Sequence, residues 1–582
     1  MFRAVLLACE SESARVASSG FSLAQKLVSA DAAALAPPRV SALVRAIARR
    51  ANDPSGADAH TRLRCLQLAL TILQRPGGCP SDPAGVASLL TPCFRFLEAA
   101  EAELEGGRGG SNPRGSGSLA TPSAGSLGGS SAAFESATRV AAAATARQAV
   151  DVVFDRADAR DAAAAAALVA ALVALADGWR ANWLEANPSS STAALAMDAL
   201  DRALSERWDD LFMRSDALRA TVAETAAPNL RKKLRAGSSL DDAPPREGRA
   251  AVRLVGTLIR GGLRETAVAP FPDISAEFLA ALIASLEEEM PPWRRAATLE
   301  TLRATAKDAS ALARTLDLDA ERGTTTLADL VTIVARIVQA GAAPQPDSGV
   351  DDIMAAVGAA FKARADGSAP DVGSFFARGG RLGGGGGAGE GGAHDAPNYN
   401  AEARDAGGFS GDAHVAHAVA LAVEATLAAT FSVAALADEA DEVAGSSVAA
   451  EPATATGDDA TPRGVLAVAR ARAVGALEST WEPLLSALVV ALEEARGEAL
   501  ALELLRGLQA LTQAAGARGA TAARDACLGA LCRFALAPDD APRQAARAPG
   551  SAASSSSSSA GSGQGGGGGI IGGALSLGAG AA

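Results

Sequence analysis

What this chain has little of is the side chains that chemistry and β-sheets draw on. Aromatic residues make up 4% of its 582 positions, with one tyrosine, and there are four histidines. Pleated, half-buried surfaces favour aromatic and β-branched residues, so their scarcity argues against a sheet core. Six cysteines (Cys9, Cys65, Cys79, Cys93, Cys527 and Cys532) are too few and too scattered for a disulfide framework, and none forms a C-x-x-C pair. Cys65, Cys527 and Cys532 fall inside apolar helical patterns and are expected as small buried hydrophobes, as in a reducing, cytosolic compartment.

Positive charge is also in deficit. The net charge is −13, which argues against sequence-independent nucleic-acid binding, since that needs a basic surface to displace counterions. The compact basic run Arg231-Lys-Lys-Leu-Arg235 reads as the solvated end of a helix, with a phosphoinositide contact as the alternative. Two segments imitate targeting signals. The uncharged run from Ala162 to Ala176 falls short of the ~20 residues that span a bilayer. Val5-Leu-Leu-Ala-Cys9 imitates a lipoprotein cleavage box, but too few residues precede it for a signal peptide. Any membrane association is therefore expected to be peripheral.

The motifs of catalysis are absent as well. There is no G-x-x-x-x-G-K-(S/T), G-x-S-x-G or H-E-x-x-H, and glycine runs such as 383–387 do not sit between a strand and a helix. His414 and His417, at i, i+3 near Asp412, could hold zinc but lack evident third and fourth ligands; they read as solvated or capping histidines. Glu287, Glu288 and Glu289 read as a solvated helix face. No catalytic residue, metal site or cofactor is expected, and no enzymatic activity.

Alanine, the best helix former, dominates a 48% apolar composition, so an all-α protein is expected. Apolar residues at helical spacing predict helices over 2–8, 18–30, 40–50, 61–74 and 89–104, and then through 134–234. Further helices are predicted over 252–263, 274–289, 292–307 and 327–339, with one more at 351–364 and another at 413–437. Pro37-Pro38 and Pro244-Pro245 read as breaks, whereas Pro292 suits a first turn. Helix pairs recur at about 40 residues with no heptad, the pattern of an armadillo/HEAT-like α-solenoid with disordered Gly/Ser-rich linkers.

The stretch Ala137-Thr-Arg-Val-Ala-Ala-Ala-Ala-Thr-Ala-Arg-Gln-Ala-Val-Asp-Val-Val-Phe-Asp-Arg156 puts Ala143, Ala146, Val150 and Val153 on one stripe. Arg147, Gln148, Asp151 and Asp155 lie on the other. It resembles the A-A-A-T-x-R-Q-x-V-x-x-V-F-(E/D)-R signature of the Mon-two family, Golgi and endosome trafficking scaffolds related to the large Arf guanine-nucleotide exchange factors. Phe2-Arg-Ala-Val-Leu-Leu-Ala-Cys9, Leu23-Ala-Gln-Lys-Leu-Val-Ser29, Leu63-Arg-Cys-Leu-Gln-Leu-Ala-Leu-Thr-Ile-Leu73 and Cys93-Phe-Arg-Phe-Leu97 are similar to that family's dimerisation and cyclophilin-binding (DCB) domain. Ala251-Val-Arg-Leu-Val-Gly-Thr-Leu-Ile259, Glu277-Phe-Leu279 and Trp293-Arg-Arg-Ala-Ala-Thr-Leu-Glu300 resemble the domain upstream of the exchange domain (HUS). Trp481-Glu-Pro-Leu-Leu-Ser-Ala-Leu488 and Arg524-Asp-Ala-Cys-Leu-Gly-Ala-Leu-Cys532 resemble the start of the downstream homology region.

The resemblance implies a DCB-like domain over 1–156 with a disordered loop at 106–131, and HUS-like repeats over 157–340. A linker at 341–410, a helix at 411–440, a linker at 441–463, downstream helices at 464–538 and a disordered tail at 539–582 complete the expectation. The exchange loop Phe-Arg-x-Pro-Gly-Glu is missing, as in the Mon-two branch, and the chain reads as starting late and stopping early, a fragment, an incomplete gene model or a shortened relative. The function implied by the resemblance is that of a non-catalytic scaffold or adaptor in vesicle-mediated transport between endosomes and the trans-Golgi network, cytoplasmic and peripheral on those membranes. Its implied partners are a second copy of itself, a Dopey-type scaffold and an Arf/Arl-class small GTPase, with no nucleic acid. The alternatives are the regulatory half of an Arf exchange factor lacking its catalytic domain, or a karyopherin-like adaptor. Arg147, Gln148, Trp293, Arg294 and Glu300 are the candidate partner-contact or structural residues.

Overall fold

Proline opens many of the helices. The computed structural model describes residues 2–30, 37–52, 58–75, 83–108, 128–157, 163–177, 189–212, 215–234, 245–263, 272–343, 353–371, 411–449 and 462–535. Helices starting at Pro37, Pro83, Pro245, Pro272, Pro292 and Pro462 use a first-turn residue whose missing N–H has no intrahelical partner to lose and whose φ is already helical. Of the pairs expected as breaks, Pro37-Pro38 and Pro245 thus stand at the starts of helices, and Pro244 lies outside the described residues. Other starts are capped by side chains: Asp58 Oδ1 accepts from the Thr61 N–H at 2.8 Å, and Asp308 Oδ1 from Ser310 and Ala311 at 3.1 and 3.2 Å. The Thr61 hydroxyl and N–H hold the Asp58 carboxyl below the usual carboxylate range.

Among the described residues the structure is all helix, with no strand. In chain order the helices are α1 (Phe2–Cys9), α2 (Ala14–Ala30), α3 (Pro37–Asn52), α4 (Ala59–Gln74), α5 (Pro83–Arg108), α6 (Gly128–Arg156), α7 (Ala163–Ala176) and α8 (Ser190–Arg207). Next come α9 (Asp216–Thr221), α10 (Ala227–Leu234), α11 (Pro245–Leu263), α12 (Pro272–Ser285), α13 (Pro292–Ala306), α14 (Ala309–Arg322), α15 (Thr326–Ala342) and α16 (Ile353–Ala365). The last are α17 (Gly411–Ala449), α18 (Pro462–Glu493), α19 (Glu498–Arg518) and α20 (Thr521–Ala535). Two compact units result, Met1–Leu531 and Cys532–Ala582. Of the second, only 532–535, the end of α20, are described.

Within the first unit the helices stack in two rows. One runs α2, α4, α6, α8, α11, α13, α17, α19, each packed on the next; the other runs through α3, α5 and α7, and later through α12, α15 and α18. This is the stacking of an armadillo/HEAT-like α-solenoid, in which each layer buries its neighbour's apolar stripe. The predicted stripe of α6 is buried as expected: Ala143, Ala146, Val150 and Val153 lie in the core. The apolar run in α7 packs inward through Leu168, Val169, Leu172 and Val173. Helix α17 is long and apolar enough to cross a membrane by length and composition, yet 83% of its apolar window is buried between protein layers.

Several elements depart from the sequence expectation. The helical stretch through 134–234 contains two π-turns, Trp208–Phe212 and Val222–Ala226. The wider π-turn places Trp208 and Phe212 side by side, with rings at 6.4 Å, and Phe212 stacks on Phe154 of α6 at 5.8 Å. Helix α14 forms where no separate helix was expected, ended by Gly323 at φ 68°. Inside the region expected as a linker over 341–410, α16 occupies the place of the helix predicted at 351–364, and the helix expected over 411–440 continues to Ala449. The expected loop at 106–131 is helical at both edges; its centre at 109–127, most of both expected linkers, Cys79 and the expected tail at 539–582 lie outside the described residues. Cys65 and Cys527 are buried as expected, whereas Cys532 is exposed, because it falls on the outward face of α20. Burial pushes the thiols of Cys9 and Cys93 up to about 12 and that of Cys65 higher still, so these cysteines are filling space as protonated thiols.

Candidate functional site

One row of helices carries a line of charge from layer to layer. On α6, Arg147 donates from Nη2 to Asp198 Oδ2 of α8 at 2.9 Å. The other oxygen of Asp198 accepts from Arg253 of α11. A turn further along, Arg202 of α8 reaches back to Asp151 of α6 at 3.0 Å, and Thr257 of α11 donates to Asp201 of α8. Burial raises the Asp201 carboxyl above its ordinary range, opposed by the Thr257 hydroxyl and Arg253. Successive helices in the row present charged edges at matching heights, so unlike charges meet from layer to layer.

Further along, the line turns inward. Glu424 of α17 has a side chain only 5% exposed and is held between Arg303 of α13, on Oε2, and Arg364 of α16, on Oε1 at 2.8 Å. Arg364 also lies over the Phe361 ring at 4.7 Å. A carboxylate in so apolar a helix persists only because both its oxygens are met by guanidinium groups. Near it gather Glu300 of α13, Arg249 of α11, His417 and His414 of α17, and Asp371. The Glu300 side chain reaches solvent, yet enough protein surrounds the carboxyl that burial raises it above the usual range despite Arg303, Arg249 and Arg253. Burial, aided by Arg249 and His414, pushes the His417 imidazole down to about 4, so it is neutral at physiological pH. No group of three or more His, Cys, Asp or Glu side chains among the described residues could hold a metal ion.

The five residues singled out from the sequence therefore divide. Arg147 opens the charge line, while Gln148 beside it is exposed and stands outside that line. Trp293 is buried at the start of α13, with its ring so close over Gly248 of α11 that a Cβ there would collide with it. Arg294, 3% exposed, donates from Nη2 to the Leu234 carbonyl at 3.0 Å, closing the C-terminus of α10 where an orphan acceptor meets a favourable cation. Glu300 lies within the field of Arg303, which also holds Glu424. Ser432 of α17 does for α13 what Arg294 does for α10, donating to the Ala306 carbonyl at 2.7 Å. Asp198, Arg253, Arg303, Arg364 and Glu424 were missed. For Glu424 a signal existed: a lone acid in the otherwise apolar run 413–437 demands a partner. Within the basic run, Arg231 pairs with Glu277 at 2.6 Å and Lys233 with Glu247 at 3.2 Å.

No family model matches this chain, and no curated protein matches it. Among solved structures, a crystal structure of importin beta aligns over 94% of this chain and 71% of its own, at 11% identity and a TM-score of 0.22. A similarity of that size carries no argument about function; the stacking of the helices themselves defines the fold.

Proposed function

We propose that this chain is a non-catalytic scaffold of vesicle-mediated transport between endosomes and the trans-Golgi network. It works by holding partners on the faces of a helical stack, as a cytoplasmic protein peripheral to those membranes. The observation that carries the reading is the double role of the family-like stretch in α6. Its alanine and valine stripe makes the layer contact, and its Arg147 begins the charge line that ties α6 to α8 and α11. The resemblance to Mon-two proteins supplies the process and the partners: a second copy, a Dopey-type scaffold and an Arf/Arl-class small GTPase. Fluorescent tagging of the chain tests it. Cytosolic signal with Golgi-adjacent puncta is expected; a purely nuclear or secreted signal overturns the trafficking reading.

A further inference from the structure

The first four helices differ in charge from the rest of the molecule. Residues 1–75 hold ten Lys or Arg against five Asp or Glu, in a chain whose net charge is −13. The same end exposes its apolar side chains. Leu7 of α1 is 61% exposed, Leu23 of α2 is 51% and Val16 is 46%. These belong to one surface. Gly20 faces α1 so closely that a Cβ would meet the Cys9 nitrogen at 2.7 Å. Leu23 and Val16, at i+3 and i−4 from Gly20, lie on that same side of α2. On α1, Leu7 stands one turn from Arg3, and on its other side Glu10 is paired with Arg49 of α3 at 2.8 Å. Arg15 and Lys26 border the stripe along α2, both exposed. Arg3, Arg15 and Lys26 form no ion pair among the described residues.

We propose that this outward face of α1 and α2 docks on the headgroup region of an anionic bilayer. Exposed aliphatic side chains ringed by basic ones match a surface that is negative outside and apolar just beneath. A second copy fits less well, because a two-fold contact would set this basic patch against itself. Nucleic acid fits less well too, because the patch offers aliphatic groups where base stacking requires aromatic ones. The inference rests on the peripheral-membrane part of the function proposed above and assigns it a surface. Arg231 and Lys233 of the basic run are already paired with Glu277 and Glu247 and are not counted in that surface.

Flotation of the purified full chain with phosphatidylcholine vesicles, with and without about 20% phosphatidylserine, tests it. The wild type binds the anionic vesicles and not the neutral ones. Leu7→Ser/Leu23→Ser and Arg3→Glu/Arg15→Glu/Lys26→Glu each reduce the bound fraction about tenfold or more with unchanged melting curves, because all five positions are exposed. Lys232→Glu leaves binding unchanged. Equal binding to both vesicle types overturns the proposal, as do no binding or full binding by either multiple variant. So does a concentration-dependent dimer that the Leu7→Ser/Leu23→Ser variant abolishes while vesicle binding is nil. Vesicle binding without Golgi-adjacent signal in cells defeats the trafficking reading alone. Golgi-adjacent signal that survives the Arg3→Glu/Arg15→Glu/Lys26→Glu change defeats this inference alone.

Discussion

In α6 the layer contact is made mainly by alanine and valine, with the uncharged Thr138 and Thr145 among them, and the charges sit at its rim. Arg147 and Asp198 keep 25% and 17% of their side chains in water, and Arg202 and Asp151 keep 46% and 21%. In α17, in the same row of helices, the charge is inside. Glu424 is 5% exposed, and the arginines from α13 and α16 that hold it come from elements far apart in the chain. A rim pair can trade its partner for water at little cost. A buried carboxylate cannot, so removing either arginine leaves an uncompensated charge. The two regions thus fix their layers differently: α6 by the shape of small side chains, α17 by a charge that is satisfied in one arrangement of three helices.

The harshest way to break that contrast is to put charge into the apolar region. Val150→Asp with Val153→Asp places two unpaired carboxylates at positions 1% and 4% exposed, and cooperative unfolding of the first layers is expected to disappear. An unchanged melting curve refutes the buried stripe. Next in size, Glu424→Ala should cost about 3–5 kcal/mol in denaturant unfolding. The triple change Arg303→Met, Glu424→Leu, Arg364→Met should recover most of that loss. A cost below about 1 kcal/mol for Glu424→Ala erases the difference between the two helices.

Gly358→Ala comes third, at about 3 kcal/mol, because a Cβ there collides with the backbone carbonyl of Arg496, which has no side-chain freedom with which to yield. Fourth, His417 makes the α17 region sensitive to acid. The unfolded chain takes up a proton near pH 6.5 that the folded imidazole refuses until about 4. Stability is therefore present above pH 6.5 and falls as the pH drops through that window, by at most about 3 kcal/mol. His417→Gln should flatten this part of the curve of unfolding midpoint against pH; identical slopes for the two proteins would exclude His417 as the cause. Smallest is Asp198→Ala. Although two arginines share this acid, its solvent contact limits the expected loss to about 1 kcal/mol; a loss as large as that of Glu424→Ala would show the rim ladder to be as structural as the buried cluster.

Helical class, the α6 stripe and the inward packing of α7 were legible because they depend on spacing within one helix. The role of Trp293 was half legible: its place at a helix start could be read, but Gly248, which receives the ring, lies 45 residues earlier. The ion cluster was less so. Arg303 lies 121 residues from Glu424 and Arg364 lies 60, and no local pattern records a pairing that the stacking order creates. The π-turn at Trp208 escaped for another reason. It goes with the aromatic stack of Trp208, Phe212 and Phe154, a tertiary contact that the 3.6-residue period does not record. Cys532 was misjudged because an apolar pattern marks a stripe without saying whether another helix covers it.

Seated on the Arg496 carbonyl with no side chain between, α16 is pinned in register. Sliding it by one residue along α19 drives a larger group into that oxygen. Its docking is thus decided by the seat and by Arg364, whatever chain leads to and from it. What fixes α16 therefore lies within the described residues and not in the sequence at 344–352 or 372–410. A change of length in the glycine-rich sequence 372–410 is a form of variation that leaves the seat of α16 where it is.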